Sequence, residues 1–109
     1  MKNLFEFYSD EGPERCGFIL KDGEIVELEN CNPDPMQGFE IDSQDILAYL
    51  PHLSGVWHTH PGSTSVLSGE DQGYMLIWPD LEHFVIGQDG VRKYVIKDMA
   101  IVDEDFLAR

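Results

Sequence analysis

His58, His60 and Asp71 crowd one stretch of the chain. Trp57-His58-Thr59-His60-Pro61 is followed, six residues on, by Ser68-Gly69-Glu70-Asp71. Side chains at i and i+2 of a β-strand point to the same face, so a strand ending at Pro61 projects both imidazoles together. Its C-terminal edge is where open α/β sheets place ligand sites. Asp71, on a helix that follows, would complete three protein ligands. Three ligands plus a water is the arrangement of a catalytic zinc, whereas a structural zinc is closed by four. Such a metal lowers the pKa of water to about 7, and a nearby carboxylate can then pass protons to a leaving amine. Glu14, after Gly12-Pro13 and at the start of a strand, is the candidate for that base. Ser68 is the candidate donor to the negative charge that develops on an attacked carbonyl.

Each of these residues also has a plainer reading. Ser68 with an acid three residues on resembles a helix capping box, although that motif prefers Glu or Gln. A capping role for Asp71 competes with a ligand role. Glu14 is one of 21 acidic residues. Cys16 reads as a small buried residue under the site rather than a ligand or nucleophile. His52 reads as solvated, His83 as structural, Trp57 and Trp78 as core, and Asp103–Asp105 as a solvated face. No G-x-S-x-G elbow is present, nor the H-E-x-x-H helix of other zinc peptidases. The H-x-E and P-C-x-x-C signature of the zinc deaminases is missing too.

His58-x-His60-Pro61, the six-residue gap and Ser68-x-x-Asp71, with Glu14-x-Cys16-Gly17 upstream, resemble the motif of the JAMM/MPN+ zinc metallopeptidases. Pro13–Gly17, and the Asn30–Pro35 loop leading to Phe39-Glu40-Ile41-Asp42, look like the short prokaryotic and phage tail-assembly branch. The resemblance implies a deaminase-like α/β/α sandwich. It also implies one zinc per chain, bound by His58, His60 and Asp71. Glu14 would be the general acid/base acting on water at the zinc, and Ser68 would stabilise the oxyanion. The reaction would be hydrolysis of a peptide or isopeptide bond. The substrate would be a ubiquitin-like, Gly-ending protein linkage or a phage tail-assembly protein. The alternative is a non-catalytic scaffold or assembly module with a structural zinc.

The elements that must position these residues follow from periodicity and turn chemistry. Leu4, Phe5 and Tyr8 predict a short amphipathic helix over Lys2–Asp10. Arg15–Leu20 and Glu24–Glu29 read as strands joined at Asp22-Gly23. Phe39–Ile41 reads as a short strand. Asp42 or Ser43 caps a helix to about Leu50, with Ile46, Leu47 and Leu50 as its buried stripe. Gly55–His60 is a buried strand, and Ser68 begins a helix to about Ile77, before Pro79. Leu81–Gly87 and Val91–Lys97 form a hairpin across Gln88-Asp89-Gly90. Asp98–Arg109 is either a last strand or irregular. The sum is a mixed sheet with two or three helices, open between α/β and α+β.

The 109 residues suit one domain, 1–109, and 42% of them are hydrophobic, as in a globular chain. The net charge of −14 repels phosphates, which argues against nucleic acid as a partner, and mildly favours a basic protein substrate. No apolar run approaches the ~20 residues that span a bilayer, and the N-terminus lacks the apolar core of a signal peptide. A cytoplasmic protein with two free thiols, Cys16 and Cys31, is expected. The oligomeric state stays open.

Overall fold

The computed structural model describes residues 2–109. Its elements are a 3-10 stretch Lys2–Phe7, β1 (Cys16–Leu20), β2 (Ile25–Leu28), α1 (Ser43–Tyr49), a 3-10 turn Leu50–His52, β3 (Leu53–Thr59), α2 (Gly69–Ile77), β4 (Glu82–Gly87), β5 (Gly90–Lys97) and β6 (Ala100–Ala108). The strands form one sheet in the order β2-β1-β3-β4-β5-β6. Only β3 and β4 run parallel; every other neighbouring pair is antiparallel. A parallel pair needs a crossover rather than a hairpin, and α2 supplies it. The architecture is α/β, a mixed six-stranded sheet with two α-helices.

Strand alternation sorts the core onto the two faces of the sheet. Trp57, Phe84, Ile86 and Val91 meet Leu4, with Phe5, Phe7 and Tyr8 packed alongside. On the other face, Cys16, Phe18, Leu53 and Val56 meet Ile41, with Ile46 and Tyr49 of α1 against them. Val85 and Tyr94 meet Met75 of α2 there. Gly17 stands opposite Trp57 in the β1–β3 register. A Cβ at Gly17 would come within 2.8 Å of the indole and would also collide with the Val26 carbonyl. The missing side chain is therefore what lets the tryptophan lie across β1.

Strands and helices begin and end within a residue or two of their expected limits, and four expectations need correction. The N-terminal segment is a 3-10 stretch ending at Phe7, not an α-helix to Asp10. It is short and lacks a first-turn acid, and its aromatic side chains are committed to the sheet. Phe39–Ile41 forms no strand. The Cys31 N–H donates to the Glu40 carbonyl and the Glu40 N–H donates to Asn30 Oδ1, so this backbone is already satisfied within its own loop. In α1, Ile46 and Tyr49 face the core while Leu47 and Leu50 are exposed. Pro51 draws Leu50 into a 3-10 turn and out of the helical stripe. Trp78 is half-buried at the C-cap of α2 rather than within the core.

Asp98–Arg109, open in the sequence, is largely β6. The β5–β6 register shifts between Lys93 and Tyr94, which pair with Asp105 and Asp103 and pass over Glu104. The exposed acids here are not merely solvated: Asp103 pairs with Arg92 at 2.7 Å, and Glu104 with Lys93 at 3.0 Å and Lys97 at 2.9 Å. Among the described residues no helix is long and apolar enough to cross a membrane. Both cysteines are free thiols, Cys16 buried and Cys31 exposed.

Candidate metal centre

β3 carries His58 on its helix-covered side, 6% exposed. The Phe39 ring stacks on the imidazole at 4.5 Å between centroids and 21° between planes. His60 lies one residue beyond β3, yet its N–H donates to the Ile86 carbonyl at 2.8 Å and so extends the β3–β4 pairing. The two rings project together, as the i, i+2 spacing predicts, with their Nε2 atoms 3.1 Å apart.

Asp71 joins them from the first turn of α2. Its Oδ1 is 3.1 Å from His58 Nε2 and its Oδ2 is 2.9 Å from His60 Nε2. The same carboxylate accepts from the Ser68 N–H at 3.0 Å, while Ser68 Oγ accepts from the Asp71 N–H at 3.2 Å. The capping box and the meeting with the histidines are therefore both present. An ionised carboxylate has about four acceptor sites, enough for the Ser68 amide and both imidazoles. Burial opposes the charge on Asp71, but hydrogen bonds from both histidines and the Ser68 amide outweigh it and hold the carboxyl well below the usual range.

His60 Nδ1 lies 2.9 Å from the Thr64 carbonyl, an acceptor, so Nδ1 carries the proton. In the neutral ring this leaves the Nε2 lone pair facing Asp71. Burial disfavours the charged ring, but the bonds to Asp71 and Thr64 and the nearby Asp71 and Glu14 carboxylates prevail and raise the His60 pKa. His58 is lowered, burial outweighing its bond to Asp71.

Glu14 closes the site from the strap that leads into β1. Its backbone is held at both ends: the N–H donates to the Pro35 carbonyl at 2.8 Å, and the carbonyl accepts from Asn30 Nδ2 at 2.8 Å. The residue is 8% exposed, and its Oε1 is buried with no hydrogen-bond partner among the described residues. Burial above all pushes its pKa up to about 7; Asp71 and Glu70 add to the shift and His60 opposes it. Ligand atoms of Glu14, His58 and His60 all lie within 4.8 Å of one another, a group that could hold a metal ion.

The residues fit a zinc ion on two observations. Zinc–ligand bonds of about 2.0–2.1 Å in a tetrahedron place ligand atoms about 3.3–3.4 Å apart. The Nε2 atoms of His58 and His60 stand 3.1 Å apart, close to that edge, and Asp71 meets them through two different oxygens, Oδ1 and Oδ2. In addition, a buried carboxyl oxygen without a partner is costly, and Glu14 keeps one beside the cluster.

Ser68 is the N-cap of α2. Its hydroxyl oxygen is used as an acceptor, and its proton has no acceptor among the described residues. Ser68 lines a cleft of about 330 Å³ together with Glu14, His60, Met36, Gln37 and Val66. All five expected site residues thus come together. His52 is exposed and His83 is buried, its Nε2 donating to the Trp78 carbonyl at 2.9 Å. Cys16 pairs with His58 across β1–β3, and burial pushes its thiol up to about 12, which leaves it a packing group.

The residues that hold the site's loops were missed from the sequence. Loop residue Ser65 is fully buried; its N–H and hydroxyl donate to Asp89 at 2.8 and 3.1 Å. Arg92 Nε donates to Ser65 Oγ, and the Tyr94 hydroxyl accepts from the Leu67 N–H. A Cβ at Gly87 would collide with the backbone of Thr64 and Ser65, so the loop passes where that side chain is absent. On the other wall, the Asn30 side chain donates to Glu14 and Gly38 and accepts from Asn32 and Glu40. Asp89 read only as a turn residue. The available signal was Asn30 and Asn32 flanking Cys31, the composition of a side-chain-to-backbone turn.

The fold has a solved counterpart. The chain is similar to the solution structure of protein DSY2949 from Desulfitobacterium hafniense, with a TM-score of 0.74 and 19% identity over 100% of this chain and 88% of that one. At that identity the likeness concerns the fold alone. No family model and no curated protein matches the chain.

Proposed function

We propose that this chain is a zinc-dependent peptidase or isopeptidase of the JAMM/MPN+ type. The observation that carries the reading is the partnerless, buried Glu14 carboxyl, with its pKa near 7, beside the converged His58, His60 and Asp71. His58, His60 and Asp71 would hold the ion. A bound zinc supplies a Lewis acid for the scissile carbonyl and lowers the pKa of water. Glu14 takes a proton from the attacking water and returns it to the departing amine, a task for which a group titrating near neutrality is suited. Ser68 offers its free hydroxyl proton to the oxygen that gains charge. The layering, helices on one sheet face and the Lys2–Phe7 stretch on the other, is compatible with a deaminase-like sandwich. The substrate we infer is a protein in the cytoplasm: a ubiquitin-like, Gly-ending linkage or a phage tail-assembly protein.

The test is elemental analysis of the purified protein beside His58→Ala and Asp71→Ala. About one zinc per wild-type chain, lost in both variants, supports the assignment. A folded wild type that takes up no zinc removes it.

One observation favours a second reading. His58, His60 and Asp71 lie within 2.9 to 3.1 Å of one another and are largely buried, a cluster that would also suit a scaffold module in which an ion is only structural. Chelation with phenanthroline separates the two readings. A structural ion takes the fold with it when removed, whereas a catalytic one takes hydrolysis and leaves the fold.

A further inference from the structure

The end of α2 away from the metal centre carries a second surface. Leu76 and Ile77, in its last turn, are 56% and 68% exposed, and Leu50 beside them is 46% exposed. Two clefts adjoin here. One is lined by Leu50, Ile77, Trp78 and Leu81, and the other by Leu76, Ile96 and Met99; Pro79 and Asp80 line both, so the two clefts are neighbours.

Met99 is 92% exposed at the tip of the β5–β6 hairpin. Asp98 and Met99 have φ values of 51° and 65°, a left-handed conformation that costs non-glycine residues about 1 kcal/mol or more each. The turn presents a large apolar side chain to solvent in a conformation that Asn-Gly would adopt with less strain. Asp80 and Asp98 sit in the apolar lining with no ion-pair partner among the described residues.

We infer that this surface is a docking site for a protein segment that inserts apolar side chains and flanks them with Lys or Arg. Neighbouring apolar clefts, one edged by an exposed methionine, mark an interaction surface, and charge decides the occupant. The chain has only 7 Lys and Arg against 21 acids, and Arg15, Arg92, Lys93 and Lys97 are already held in ion pairs. A second copy would therefore bring acid against acid, and an anionic lipid surface would be repelled. A cationic amphipathic segment meets both halves of the surface. Nine residues of α2, about 13 Å at 1.5 Å each, lie between this surface and the cleft at Ser68. A docked partner leaves the cleft open, and the inference stands independently of any peptidase activity.

The probe is a synthetic amphipathic Leu/Lys helical peptide, with a Leu/Glu twin as control, titrated into the ¹⁵N-labelled full chain. The Leu/Lys peptide is expected to shift the amides of Leu76, Ile77, Asp80 and Met99 first, and the twin to shift none. Combining Ile77→Ser with Met99→Ser should weaken binding about tenfold, the loss of two modest apolar contacts. Both residues are exposed, so the variants fold, which their spectra report directly. Asp80→Asn should weaken it about threefold, and Asp22→Asn, the same charge change at a remote turn, should not. Equal effects of the two Asp variants, or shifts scattered over the acidic surface, overturn the inference. So does sedimentation that shows a dimer abolished by the Ser variants, or preferential binding to phosphatidylcholine vesicles that those variants lose.

Discussion

The two walls of the cleft are built on different plans. The wall that carries His60 and Ser68 is tied to the β4–β5 hairpin through several independent groups: the Asp89 carboxylate, the Tyr94 hydroxyl, and the Gln88 N–H, which donates to the Ser63 carbonyl at 2.7 Å. On the wall that carries Glu14, one side chain, Asn30, serves four backbone groups with its donors and acceptors, beside the backbone bond from Glu14 to Pro35. Redundancy protects the loop that carries His60 and Ser68, and one side chain does most to position Glu14. Removing one member of a redundant set leaves its neighbours able to compensate, while removing such a side chain leaves several polar groups unpaired at once.

The comparison is broken most severely at Glu14. Glu14→Gln should keep the metal and the fold while lowering turnover by about 10²- to 10⁴-fold, the range for loss of a general acid/base. Metal content and hydrolysis of a Gly-ending isopeptide are measured on the same sample. Loss of metal in this variant would make Glu14 a ligand. Next comes Asn30→Ala, expected to cost about 3 kcal/mol because paired backbone groups lose their partner. Asp89→Ala, on the redundant wall, should cost only about 1 kcal/mol. Urea unfolding of both variants decides between the plans, and an Asp89→Ala cost equal to that of Asn30→Ala ends the distinction. Tyr94→Phe should cost about 0.5–1 kcal/mol alone, and more when added to Asp89→Ala than the two separate effects sum to.

The smallest effect sharpens the contrast between the walls and the sheet below. Burial lowers the His83 pKa from its ordinary 6.5, against its bond to the Trp78 carbonyl. The folded state therefore favours the neutral ring, and the unfolded chain binds the extra proton first. Stability contributed by the neutral ring is present above about pH 6.5 and declines as the pH falls below it. His83→Gln should flatten that part of the profile without touching metal content; an unchanged slope would assign the acid sensitivity elsewhere.

Much of this was legible in the sequence because the informative signals were local. The His58/His60 spacing, Ser68 as an N-cap and Gly23 at its turn, with φ of 92°, depend on neighbours within a few residues. What stayed hidden depended on distant partners. Phe39 looked like a strand residue, but it stacks on His58, which is remote in the chain. Ser65 looked like loop filler, but it is fully buried against Asp89. Leu47 and Leu50 had the right spacing for a core stripe, but α1 turns Ile46 and Tyr49 to the core and ends before Leu50. The double use of Asp71 was not legible, because spacing does not show that one carboxylate oxygen can face His58 while the other meets His60 and Ser68.

That double use of Asp71 also orders events in time. The capping box joins residues three apart and closes with the first turn of α2, whereas His58 and His60 are aligned only after β3 has paired with β4 across the whole crossover. Contacts between near neighbours form before those that must close long loops. The helix is therefore expected to aim its carboxylate before the imidazoles arrive, and an ion held there would act late in folding rather than on its nucleus. Ser68→Ala should accordingly slow refolding, whereas added zinc should slow unfolding and leave the refolding rate unchanged; stopped-flow traces in which zinc speeds refolding would reverse that order.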